Sequence, residues 1–135
     1  MELIFVAGAQ SSSVDNQTGR LSLFHILEQV QVTAFPSSLS LTLVGVFAKD
    51  ADEPDDQSVR LKVELGDTVV FDSPVAISFR GKLRNRVLTA MNGLGVPGPG
   101  ALSFSFLSES GRPLGAAWVV AVEKAVSSVT VPLKA

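Results

Sequence analysis

His25 is the only histidine of the chain, so any imidazole chemistry rests on it. A hydrolytic triad built around it would need a nucleophile, for which Ser38 and Ser40 are the candidates. No G-x-S-x-G elbow accompanies them, and a lone histidine in a strand is usually a packed or half-exposed side chain. Histidine-bound metal fares no better, because the chain offers no second histidine and no cysteine.

The densest charge cluster is Asp50-Ala51-Asp52-Glu53-Pro54-Asp55-Asp56. Its carboxylates are oxygen ligands of the kind a hard cation such as Ca²⁺ takes, with Asp50, Asp52 and Asp55 the candidate metal residues. The spacing is not that of an EF-hand loop, since the glycine and the terminal bidentate glutamate are missing. A solvated loop between two strands is the favoured reading. Arg80, Lys82, Arg84 and Arg86 form the only basic cluster. Alternate spacing along a strand puts Arg84 and Arg86 on one face, with Lys82 in the turn before them. Contact with an anion is one reading, but no aromatic residue lies among them to stack a base. A charged edge that blocks strand pairing is the favoured role.

The stretch Asn92 to Gly100 is glycine-rich but lacks the G-K-[ST] ending of a phosphate loop, and no helix follows it. Its prolines point to a long connecting turn. Asn16-Gln17-Thr18 matches a glycosylation sequon, which matters only on a secretory route. Sugar binding wants exposed aromatic platforms, and the chain has one Trp and no Tyr. Neither catalytic residues nor a cofactor site can be assembled from these parts, so the expectation is a protein that is not an enzyme and carries no cofactor.

The elements that would position these residues repeat with period two. Val59, Leu61, Val63 and Leu65 alternate with Ser58, Arg60, Lys62 and Glu64, the pattern of a half-buried strand. Leu39, Leu41 and Leu43, then Val75, Ile77 and Phe79, then Leu102, Phe104 and Phe106 alternate in the same way. Val129, Val131 and Leu133 do so near the C-terminus. The runs Leu3 to Ala7, Val44 to Ala48 and Trp118 to Val122 are apolar on both faces and suit strands covered on two sides. In the last, four valines between Val119 and Val126 outweigh the helix preference of the alanines. Turns punctuate these runs at Asp15 to Gly19, Gly66-Asp67, Arg80-Gly81-Lys82 and Glu109 to Pro113. Eight or so such strands predict one domain over residues 1–135, an all-β, two-layer antiparallel β-sandwich of immunoglobulin-like or related Greek-key type. The cysteine pair and tyrosine corner of immunoglobulin domains are absent, and only Trp118 can serve as a core tryptophan.

Composition narrows the functions. Eleven basic against thirteen acidic residues give a net charge of −2, which speaks against nucleic acid as a partner. No run approaches the ~18 apolar residues of a membrane span. Met1 to Ala9 has a cleavage-like Ala7-Gly8-Ala9, but it carries Glu2 and no Lys or Arg, so it reads as a first strand and not a signal peptide. The absence of cysteine fits a reducing cytoplasm. Hydrophobic residues make up 46% of the chain and charged residues 18%. With glycine added the apolar share is about 54%, above the ~45–50% of ordinary domains. Either strands are apolar on both faces, or a surface is buried against a partner.

Several segments together resemble a family of short bacterial proteins catalogued as a domain of unknown function. The chain opens with Met1-Glu2-Leu3-Ile4-Phe5. It continues with Gly19-Arg20-Leu21 and an apolar strand ending at Glu28, then Phe35-Pro36 and a strand Leu41 to Phe47. Late in the chain come Asn92-Gly93-Leu94 and Pro99-Gly100. The resemblance spans most of the chain to about Val122. His25 stands where the family pattern has a small residue, commonly glycine, and the tail after Val122 is longer. The resemblance implies a small bacterial β-sandwich and supplies no activity. The expectation is therefore a non-enzymatic interaction or assembly module with a protein partner or self-association. The alternative is a small-ligand or cation-binding domain that uses the 50–56 loop.

Overall fold

In the computed structural model, which describes residues 1–126, nine strands follow one another without a helix: β1 (Glu2–Val14), β2 (Leu21–Ile26), β3 (Gln29–Val32), β4 (Ser37–Ala48), β5 (Asp56–Leu65), β6 (Thr68–Ser78), β7 (Arg84–Val96), β8 (Gly100–Leu107) and β9 (Trp118–Lys124). The alternating C-terminal residues Val129, Val131 and Leu133 lie outside the described residues.

The strands form two packed sheets, one of order β2-β1-β4-β7 and one of order β3-β9-β8-β5-β6. Period two explains the packing. Leu39, Leu41, Leu43 and Phe47 of the first sheet face Val59, Leu61, Val63, Leu102, Phe104, Phe106, Val120 and Val122 of the second, and all are buried. The run Trp118 to Val122 is a strand, with Val120 and Val122 inward and Val119 outward. Trp118 closes one side of the core, and its indole N–H donates to the Leu27 carbonyl at 3.0 Å.

The order β9-β8-β5-β6 matches the G, F, C and C′ strands of an immunoglobulin domain, and β1-β4-β7 matches A, B and E. The one parallel pairing is β3 with β9, from Gln29↔Ala121 to Val32↔Lys124. Every other pairing among the described strands is antiparallel, as expected for the sandwich. The parallel pairing arises because the chain leaves the first sheet after β2 and lays four residues along the far edge of the second.

Asn92 to Gly100 is not one long turn. β7 runs on through Gly93 and Gly95 to Val96, pairing Leu94 with Leu39 and Val96 with Ser37. The register shifts between Leu39 and Leu41. There Gly93 adopts φ +73° and its N–H donates to Ser40 Oγ at 3.1 Å. A glycine inside a strand often marks such a bulge. The turn itself is confined to Pro97-Gly98-Pro99.

Candidate functional site

One end of the sandwich gathers most of the chemistry-bearing residues. The start of β1, the end of β4 and the start of β7 lie side by side there, with Glu2 paired to Ala48 and Ala48 to Arg84. The loop from Asp50 to Asp55 and the Arg80-Gly81 turn close the same end.

The acidic loop is organised from within. Lys49 is buried, and its ammonium reaches the Glu53 carbonyl at 3.0 Å, the Asp50 carbonyl at 3.4 Å and Asp55 Oδ1 at 3.3 Å. It also lies 5.8 Å from the centroid of the buried Phe79 ring. Asp55 Oδ2 accepts the Gly81 N–H at 2.7 Å and so ties the loop to the next turn. Glu53 Oε1 accepts the Asp50 N–H at 2.9 Å while Oε2 meets the Met1 amino group. The Asp50 amide, followed by that amino group, holds the Glu53 carboxyl below its ordinary value. Among the described residues no three His, Cys, Asp or Glu side chains converge as metal ligands, so Asp50, Asp52 and Asp55 are not brought together. Asp55 is a structural anchor, whereas Asp50 and Asp52 are exposed.

His25 is exposed at the end of β2 with φ +56°, in the left-handed region that favours glycine. Of the two serines weighed as its partners, Ser40 instead accepts from Gly93.

The basic cluster lines a surface cleft. Arg84 and Arg86 point outward from β7, an edge strand, opposite Ala48 and Val46. The β1–β2 hairpin bends back across this outer face. Its turn is capped by Asp15, whose Oδ1 accepts the Gln17 and Thr18 N–H groups at 2.8 and 3.2 Å. These two amides hold the Asp15 carboxyl below its ordinary value of 3.8. Gly19, at φ +69°, then presents its carbonyl to Arg86 Nη2 at 2.7 Å. Between hairpin tip and sheet lies a cleft of about 620 Å³, with Val14, Val46 and Leu88 as apolar wall and floor and Lys82, Arg84 and Arg86 around it. The sequence located this cluster and its alternation. It gave no sign that the hairpin, with Gly19 67 residues before Arg86, supplies the opposite wall.

The outer face also accounts for part of the apolar surplus. Ala7, Ala9 and Val44 point away from the core, yet they are 1%, 0% and 0% exposed. Other apolar side chains stay open to solvent. Phe24 and Ile26 of β2, 47% and 49% exposed, are the largest such pair on one edge strand. No protein-family model and no curated protein matches the chain.

Proposed function

We propose that this chain is a non-enzymatic interaction module of a bacterial cytoplasm, and that it assembles with a second copy of itself through the edge of β2 that no described strand covers. The observation that carries this reading is the contrast among the outermost strands of the two sheets, taken among the described residues. β7 carries Arg84 and Arg86 and a bulge. β6 carries Asp72 and Pro74 and a register shift against β5. β3 is only four residues long. Charge, proline, bulges and shortness are the devices that stop strands from recruiting partners. β2, Leu21-Ser22-Leu23-Phe24-His25-Ile26, has none of them along its length; the left-handed residue His25 comes only near its end.

An exposed apolar edge of this kind adds a strand from another chain, with backbone hydrogen bonds giving affinity and alternate side chains giving selectivity. A second copy is the simplest partner, because two β2 edges pair antiparallel about a twofold axis. The lack of cysteine fits the reducing compartment, and the net charge of −2 speaks against nucleic acid as the partner. No described helix is long and apolar enough to cross a membrane.

The test places charges on the edge. A Phe24→Lys, Ile26→Lys variant should elute as a monomer at concentrations where the parent associates, with an unchanged circular dichroism spectrum. A folded variant that associates as the parent does would refute pairing through β2.

A further inference from the structure

The cleft under the β1–β2 hairpin has the composition of a binding site for an anion. Arg84 and Arg86 stand two residues apart on the outer face of β7, about 7 Å from each other in an extended strand. Lys82 approaches from the turn before them. Among the described residues none of the three makes an ion pair: the salt bridges are Met1–Glu53, Lys49–Asp55, Arg60–Asp72 and Lys62–Glu64. Two of the carboxylates at this end are engaged elsewhere, and Glu2, Asp50 and Asp52 are exposed outside the cleft's lining. Asp15 caps its own turn, and Asp55 serves Lys49 and the Gly81 amide. Three like charges thus line one cleft with no acidic side chain among its lining residues.

We infer that this cleft binds a small phosphate-bearing molecule, its dianionic phosphate between Lys82, Arg84 and Arg86 and an apolar group on Val46 and Leu88. Charge favours a dianion over a monoanion, since three cations face the cleft. A guanidinium presents its N–H donors as a planar fork that matches phosphate oxygens, and an ammonium adds a point charge. Size favours a small molecule: about 620 Å³ lies within the ~300–1,000 Å³ of ordinary ligand pockets. The cleft is also set before any ligand arrives, because Arg86 already holds the hairpin tip through the Gly19 carbonyl. Such preorganisation lowers the cost of binding. The inference stands independently of assembly through β2, which lies on another edge of the sheet.

Titration calorimetry of the full chain at low ionic strength tests it, with phenyl phosphate, benzoate and phenol as probes. Phenyl phosphate should saturate with a Kd of about 1 mM or tighter, benzoate should bind more weakly, and phenol should not bind. In a Lys82→Gln, Arg84→Gln variant, which leaves the Arg86–Gly19 contact in place, the affinity should fall about tenfold or more with an unchanged unfolding midpoint. Amide shifts on adding phenyl phosphate should centre on Gly19, Val46 and Leu88. Absence of saturation by about 10 mM would overturn the inference, as would full affinity in the variant or shifts centred elsewhere. An oligo-aspartate peptide that binds while phenyl phosphate does not would overturn it in favour of a protein ligand.

Discussion

Gly45 faces the core from the middle of β4, where Phe47 and Phe106 meet edge to face, 5.1 Å between centroids and 85° between planes. A methyl group built on Gly45 would come within 2.9 Å of Phe106 and 3.0 Å of Phe47. Gly45→Ala should therefore destabilise the fold by about 1–3 kcal/mol, the usual cost of overpacking a core, as read from urea unfolding. An unchanged midpoint would show that the aromatic pair gives way freely. The hairpin turn has its own titration. Because two amides stabilise the ionised form of Asp15, its folded pKa lies below its unfolded one. Its contribution to stability is thus present above the ordinary carboxylate value and is lost as pH falls through the folded value. The Gln17 and Thr18 amide shifts should titrate together with a midpoint below 3.8, and a midpoint above 3.8 would contradict the capping assignment. The turn was legible as Asp-Asn-Gln-Thr-Gly. The constraint on Gly45 was not, because it depends on Phe106, which pairing places opposite only in the folded sheets.

At the scale of strands, alternation carried most of the information. Leu61 and Phe104 lie in the inward phase and are fully buried, and Ser103 lies in the outward phase of the same pair of strands. Leu61→Ala and Phe104→Ala should each cost about 2–5 kcal/mol. Ser103→Ala, at a half-buried position on the outward face, should cost under about 0.5 kcal/mol, as substitutions away from the core usually do. Equal losses in chemical denaturation would mean a register wrong by one residue. Alternation was legible wherever one face meets the core and the other meets solvent, as in β5 and β8. It failed at β3, whose four residues are too few to set a period and whose partner β9 lies about ninety residues away. It failed again at the end of β7, where glycines that shape a bulge look in sequence like a turn.

For the molecule as a whole, composition announced more apolar surface than one core needs, and the structure divides that surplus in two. Ala7, Ala9 and Val44 are hidden on the outer side of the first sheet, within the described chain itself. Phe24 and Ile26 remain open on an edge strand without charge or proline. The candidate site was legible only as a basic cluster, because its second wall comes from a distant hairpin held by the Arg86–Gly19 contact. Charge is arranged along the same lines, with the acidic loop folded inward on Lys49 and no acidic side chain among the described residues that line the basic cleft. If the open edge of β2 is an assembly surface, the unmodified chain associates in solution, and its mass shows it. Light scattering at about 100 μM, well above the ~1 μM scale of an ~8 kcal/mol association, should give at least twice the 14.2 kDa of the monomer. A single species of 14.2 kDa at that concentration would rule out assembly through β2.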